Sequence, residues 1–294
     1  MVITTGFFDG VHLGHRQVIQ QLVGAAQERG TLSCVLTFWP HPRTVLQDGA
    51  RELRLLSTLD EKREMLRGLG VDRVEVLRFD RALSRLTTEE YLREVVIGRY
   101  GGTALLVGFD NRMGCDAGGA EDIAAAAAAA GLEVLRTGPV ACGGAPVSST
   151  RIRTALAAGQ VEEAAAMLGY GYRLHGVVVS GERKGRTMGF PTANLQLYEP
   201  LKLLPGDGVY AVDVETTGRR FRGMCNIGVR PTVGTGNHRT VETHILDFDE
   251  DIYGLDLRLT FRRKIRDERK FSSLGELRGQ LEKDKREVMK GTGW

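Results

Sequence analysis

Two histidines three positions apart, His12 and His15, stand in the run Gly6-Phe7-Phe8-Asp9-Gly10-Val11-His12-Leu13-Gly14-His15. On the first turn of a helix they would share a face and could both donate to phosphate oxygens. A helix N-terminus adds unpaired N–H groups and a positive dipole end, which bind anions. Gly14 would let a ligand approach the backbone. Two imidazoles could also hold a metal, but no third ligand stands at a suitable spacing. A second cluster, Val147-Ser148-Ser149-Thr150-Arg151-Ile152-Arg153, sets three hydroxyls ahead of two arginines. Neutral donors followed by charged forks suit a polyphosphate. Taken alone, the cluster reads equally well as a helix cap with a solvated charged face.

A third stretch runs from Gly181 through Lys184, Gly185, Arg186, Gly189 and Phe190-Pro191-Thr192-Ala193-Asn194. It lacks the GxxxxGK[ST] spacing of a P-loop. Gly181, Gly185 and Gly189 recur every four residues, as in a loop whose backbone closes over phosphates. Thr192 and Asn194 are two apart and project to one side of an extended chain. Their hydroxyl and amide oxygens are hard donors suited to Mg²⁺. As a bare pattern this is also a turn with an Asx hydrogen bond.

These clusters need elements to hold them. In the first half, strands are expected at Val2–Thr5, Leu32–Phe38, Val71–Leu77, Ala104–Val107 and Leu132–Arg136. Between them, helices are expected at His15–Gln27, with Val18, Leu22 and Ala25 on one face, and at Asp60–Gly68, Thr87–Tyr100 and Glu121–Ala130. Thr87 and Glu90 have capping-box spacing. Alternation of this kind predicts an α/β domain with a parallel sheet. The rhythm then changes to short strands at Leu174–Ser180, Val209–Glu215, Phe221–Ile227, Val241–Asp247 and Leu255–Phe261. Turn residues at Thr217-Gly218 and Gly234–Asn237 separate them, which predicts an antiparallel barrel or sandwich. Ser273–Met289 reads as a terminal amphipathic helix, with Leu274, Leu277, Leu281 and Val288 inward and Ser273 and Glu276 as its capping box. The boundary falls near Gly169, giving domains 1–168 and 169–294.

Composition limits the function. The chain has 294 residues, enough for two domains at about 150 each. It is 42% hydrophobic and 26% charged, which excludes a mostly disordered chain. A net charge of +3 is too small to argue for nucleic acid or a membrane surface. The longest apolar run, Ile123–Ala130, is far short of a bilayer span of about 20 residues. The opening MVITTGFFDG does not look like a secretory signal. Cys34, Cys115, Cys142 and Cys225 have no CxxC spacing and read as thiols of a reducing cytoplasm.

Together these segments resemble the HxGH nucleotidylyltransferase superfamily, and more closely the bacterial bifunctional riboflavin kinase/FAD synthetase family. GFFDGVHLGH resembles that family's opening motif. Phe38–Pro42 looks like its Pro-His-Pro loop, Leu106–Gly114 like its nucleotide segment and VSSTRIR like its phosphate loop. VVVSGERKGRTMGFPTANL resembles the kinase signature, as do Leu204–Ala211, Asn226–Thr232, Val241–His244, Tyr253-Gly254 and Arg266–Phe271. The resemblance implies a Rossmann-like parallel-sheet domain followed by a β-barrel with a C-terminal helix. It implies ATP at Gly6, Phe8, Asp9, His12, His15, Asp110, Ser148, Ser149, Thr150, Arg151 and Arg153, with His12 and His15 serving adenylyl transfer to FMN. In the second half it implies ATP at Gly181, Gly185, Arg186, Gly189, Thr192 and Asn194, the last two holding Mg²⁺. Glu242 would be the base that takes the riboflavin 5′-hydroxyl proton, with Asn226, Arg266 and Glu268 at the flavin. Without the resemblance, Glu242 reads as an outer-face glutamate and Arg266 and Glu268 as a charge run; His244 could orient Glu242 or simply pack. The implied partners are riboflavin, FMN and ATP, with FAD as product, no nucleic acid, no membrane, and either a single chain or a homo-oligomer. Asn111, Met113 and Cys115–Ala117 depart from the family pattern, which leaves open a kinase whose first domain no longer turns over.

Overall fold

The computed structural model describes residues 1–46, 53–181, 185, 189–231 and 237–290. The chain divides into two units, Met1–Ser149 and Thr150–Trp294.

The first unit is built on β1 (Val2–Thr5), β2 (Ser33–Trp39), β3 (Arg73–Arg78), β4 (Ala104–Val107) and β5 (Glu133–Arg136). They pair in parallel in the order β3-β2-β1-β4-β5. Helices cover both faces, which is why β1 and β4 are buried along their whole length without alternation. Val2, Val35 and Leu106 pack against Val18, Ile19, Leu22 and Ala26 of α1 (Leu13–Glu28) and Leu66 of α3 (Leu59–Gly68). Ala25, expected on that stripe, is only half-buried at its edge. Ile3, Cys34, Leu36 and Leu105 face the other way, onto Leu92 and Val96 of the π-wound stretch Tyr91–Arg99 and Ile123 and Ala127 of α5 (Ala120–Ala129). Both capping boxes in this unit are formed, Thr58 with Glu61 at α3 and Thr87 with Glu90 at α4 (Thr88–Glu90). The short α2 (Pro42–Leu46) follows β2. A small hairpin, β6 (Ala141–Cys142) and β7 (Ala145–Pro146), turns on Gly143 and Gly144 at positive φ and leads into Ser148.

Helix α6 (Ser149–Ala157) starts on the last residue of the first unit and runs from Thr150 into the second, where α7 (Val161–Leu168) follows. From Thr150 on, both belong to the barrel unit: the Gly206 N–H donates to Leu156 O at 2.7 Å, and α7 packs on β13. The barrel strands are β8 (Arg173–Val179), β9 (Ala193–Leu197), β10 (Gly208–Thr216), β11 (Arg219–Pro231), β12 (Asn237–Ile245) and β13 (Asp256–Arg266). They close antiparallel in the order β10-β11-β12-β9-β8-β13. Thr217 and Gly218 have φ of 52° and 74°, the two-residue turn that suits the twist of β10 and β11. Of the other predicted turn, Gly234–Asn237, residues 234–236 lie outside the described residues.

The terminal helix α8 (Leu274–Lys290) lies on the outer barrel wall, with Val288 buried and Leu281 partly so against Ala211, Met224 and Phe190. Two features differ from the expected helix. Leu274 is 71% exposed, because the first turn overhangs the barrel. In its place the inward stripe holds Asp284, 1% exposed and paired with Arg266 at 2.8 Å. The Glu276 N–H reaches Ser273 Oγ, but its carboxylate returns to Ser272, one residue earlier than the expected box.

Candidate active sites

In the first unit the strand order reverses at β1, which has β2 on one side and β4 on the other. Loops leaving such a switch point diverge and leave a crevice at the strands' carboxyl ends. A cavity of about 300 Å³ lies there, lined by Gly6, Phe8, His12, Gly14, His15, Gly108–Asn111, Thr137–Val140 and Pro146–Ser148. His12 is the N-cap of α1, its Nδ1 accepting from the His15 N–H at 3.4 Å. That bond puts the proton of neutral His12 on Nε2, leaving a donor for a ligand. The two rings stack with centroids 3.6 Å apart, and Phe8 meets His15 edge-on at 5.2 Å. Burial, then the neighbouring His12, then Lys62 hold His15 well below the usual histidine range, so it is neutral near pH 7. Its Nδ1 is buried without a hydrogen bond among the described residues. A Cβ on Gly14 would come within 3.2 Å of the His12 ring, so this glycine makes room for the imidazole.

The turn before α1 is strained. Phe8, Gly10 and Val11 have φ of 52°, 79° and 38°, and a β-branched residue at positive φ is an outlier. Asp9 does not line the cavity. Its carboxylate accepts from the N–H groups of Leu56 and Ser57 and from Ser57 Oγ, and the Gly10 N–H donates to Ser57 Oγ. Ser149 Oγ donates to Asp9 O at 3.1 Å, tying the second motif to the same turn. Ser148 and Asp110 line the cavity, while Thr150, Arg151 and Arg153 lie on α6 in the second unit. The divergent segment has its own bonds. Asn111 Nδ2 donates to Thr5 O at 3.2 Å, and Asp116 accepts from Thr88 N and Oγ1 at the start of α4.

In the second unit, cross-strand register sets the site. Asn226 pairs with Glu242, and Glu242 pairs with Asn194, so three polar residues form a row across β11, β12 and β9. Directly opposed residues share a face. Their neighbours Cys225 and Thr243 are both 0% exposed and point into the barrel, which leaves the row on the outer wall. Asn226 Nδ2 reaches Glu268 Oε1 at 3.4 Å. Arg266 is held by Asp284 and the Asp267 carbonyl and ties α8 to the barrel. His244 Nδ1 donates to Pro191 O at 2.8 Å and its ring packs on Phe190, so it fixes the entry to the Thr192–Asn194 segment. A Cβ on Gly181 would collide with the Asn194 amide, and one on Gly185 with the Phe190 carbonyl; both glycines let the loop lie on this segment. Gly189 has φ of 81°. Arg186 lies outside the described residues.

Thr192 and Asn194 offer a hydroxyl and an amide oxygen under that glycine cradle, a hard-oxygen donor set that fits Mg²⁺ with phosphate and water completing its shell. Among the described residues, no group of three His, Cys, Asp or Glu side chains stands ready for a metal. A second cavity, of about 210 Å³, is lined by Val178, Pro191–Ala193, Thr243, Ile245 and Phe248–Tyr253. Of its 248–253 wall, only Tyr253 stands in a segment singled out from sequence; Phe248–Ile252 was missed, as were Thr137–Val140 in the first unit. The rule that ligands bind beyond the carboxyl ends of strands at a switch point would have flagged the latter; the former follows a strand without a motif of its own.

The riboflavin kinase family model matches residues 168–291 and the FAD synthetase model residues 1–151. A bifunctional riboflavin kinase/FMN adenylyltransferase of Listeria monocytogenes is 37% identical over 98% of this chain and 91% of its own length. One from Bacillus subtilis is 35% identical over 98% of this chain and 92% of its own. A crystal structure from Streptococcus pneumoniae, described as a macrolide-efflux protein, superposes with a TM-score of 0.92 at 33% identity, covering 99% of this chain and 94% of that one. The efflux description belongs to that protein; among the described residues here, no helix is long and apolar enough to cross a membrane. The chain belongs to the bifunctional riboflavin kinase/FMN adenylyltransferase family.

Proposed function

We propose that the chain makes both flavin cofactors from riboflavin. The second unit transfers the γ-phosphoryl group of ATP to the riboflavin 5′-hydroxyl, giving FMN and ADP. The first unit transfers the adenylyl group of another ATP to the FMN phosphate, giving FAD and pyrophosphate. The observation that carries this reading is a separate cavity in each unit, each bordered by motif residues of the matching family half.

In the first unit, the FMN phosphate oxygen attacks the α-phosphorus and pyrophosphate leaves, with no covalent intermediate. The protein's part is alignment and stabilisation of charge. His12 Nε2–H, the neutral His15 ring and the N-terminus of α1 are the donors; Gly6, Phe8, Asp110 and Ser148 border the nucleotide. Asp9 and Ser149 act one step back, holding the turn. In the second unit, Glu242 removes the proton of a primary alcohol that is a poor nucleophile near neutral pH. Thr192 and Asn194 hold Mg²⁺, which neutralises phosphate charge when bound. The slot beside Thr192 takes the rest of the nucleotide, and Asn226 and Glu268 border the flavin. Arg266 serves the flavin side through its grip on α8. The enzyme is cytoplasmic, which suits four cysteines that form no disulfide, and its partners are small molecules, with no nucleic acid or membrane.

Product analysis tests the reading. Riboflavin, ATP and Mg²⁺ should yield FMN with ADP, then FAD with pyrophosphate. FMN that accumulates with no FAD, even when FMN is supplied directly, would contradict the role of the first unit.

A further inference from the structure

Lys62 lies on α3 with 0% exposure. A buried ammonium is costly unless it is well bonded. Hydrocarbon suffices on the same helix face one turn on, where Leu66 is equally buried. Lys62 Nζ donates to the Phe7 carbonyl at 2.7 Å and to Thr37 Oγ1 at 3.2 Å, and stands 3.6 Å from the centre of the Phe7 ring. Thr37 Oγ1 in turn donates to the same carbonyl at 3.1 Å. Phe7 lines the first cavity, meets His41 edge-on at 4.1 Å, and immediately precedes the left-handed turn at Phe8. From the other side of that turn, the Asp9 carboxylate grips the amides of Leu56 and Ser57. Opposite charges thus pin the strained segment at two points, Phe7 at its start and Asp9 within it, and the segment runs on to His12.

We propose that Lys62 is a positioning residue for adenylyl transfer: its bond to the Phe7 carbonyl fixes the Phe8–Val11 turn and, through it, the stacked pair of His12 and His15. The proposal rests on the assignment of adenylyl transfer to the first unit. The titratable groups bearing on Lys62 are Asp9, which favours the ammonium, and His15, which the ammonium keeps neutral. Burial pushes Lys62 down to about 8, so the clamp is charged at neutral pH and is lost as pH rises through that value.

Lys62→Met in the whole 294-residue chain keeps the hydrocarbon and deletes the donor. FAD formation from FMN and Mg-ATP is followed across pH, with FMN formation from riboflavin in the same preparation as internal control. We expect kcat for FAD to fall about tenfold or more, since small misplacements of catalytic groups are costly. FMN formation and the melting temperature should hold, and the parent's alkaline loss of FAD formation near pH 8 should be absent from the variant. A variant with the parent's kcat and pH profile overturns the proposal, as does one whose lower rate merely tracks a lower melting temperature. Should Lys62→Met not fold, Thr37→Val decides. Removing the acceptor should move the alkaline limb to lower pH and reduce kcat, and an unchanged limb overturns the proposal. A parent that forms no FAD refutes the site assignment and the proposal together; a parent that forms FAD while the deciding variant matches it refutes the proposal alone.

Discussion

In the first unit, Gly6, Gly108 and Thr137 reach one cavity from the ends of three parallel strands; in the second, Asn226, Glu242 and Asn194 line up across three antiparallel ones. Parallel strands put all their carboxyl ends on one edge, where helix N-termini also gather, so backbone N–H groups and dipoles supply the positive potential. Antiparallel neighbours alternate in direction and share no such edge. Their chemistry must come from side chains on the wall and from loops laid over it. The first arrangement suits displacement between anions, which needs alignment and charge stabilisation. The second suits activation of a neutral alcohol, which needs a base and hard oxygen donors beside it.

Variants that strike one arrangement and spare the other sharpen this contrast. Glu242→Gln should have the largest effect, slowing FMN formation by about 10²–10⁴-fold, the usual worth of a positioned base. FAD formation from added FMN should be untouched. His15→Ala should do the reverse, lowering FAD formation about 10²-fold, as for the loss of one charge-stabilising donor. Chromatography of flavin products reads both, and equal damage to both activities by either variant would break the contrast. Gly181→Ala, which drives a methyl into the Asn194 amide, should raise KM for ATP in FMN formation about tenfold, from about 1–3 kcal/mol of overpacking. KM for ATP in FAD formation should stay where it was. Acid sensitivity should be the smallest difference. His15 titrates in the folded state well below its ordinary value of 6.5. The unfolded chain therefore takes up the proton first, and stability is lost as pH falls below 6.5, by about 1.4 kcal/mol per unit until the folded ring titrates. Denaturation of the parent and His15→Ala at pH 7.5 and 5.5 should show the smaller loss in the variant.

Much of this was legible in the sequence where a local rule ties residue type to structure. The alternation of apolar runs gave the parallel sheet, and turn residues such as Thr217-Gly218 gave the barrel hairpins. The α1 start was legible to within two residues, expected at His15 and found at Leu13 with His12 as the extended N-cap, because an N-cap and the first turn are set by neighbours in the chain. What stayed hidden depends on partners distant in sequence. Asp9 looked like a ligand but answers to Leu56 and Ser57, amides known only once the fold is formed. Arg266 read as a solvated charge until Asp284, buried on the apolar side of α8, paired with it. Lys62 sits among helix-compatible charges in LDEKREMLRG and nothing local marks it as buried. Glu242 was marked by the family resemblance alone; register adds the physical setting, since the pairing with Asn226 and Asn194 sets it apart from any other outward glutamate on a strand.

The central claim is that two ATP-using sites, one in each unit, act in turn on the same flavin. Mixing Glu242→Gln protein with His15→Ala protein, and supplying riboflavin, ATP and Mg²⁺, tests it most directly. The account predicts that neither variant alone turns riboflavin into FAD at an appreciable rate, while the mixture does, with FMN made by one protein and adenylylated by the other. A mixture that makes no more FAD than its components, although FMN is formed, would contradict it.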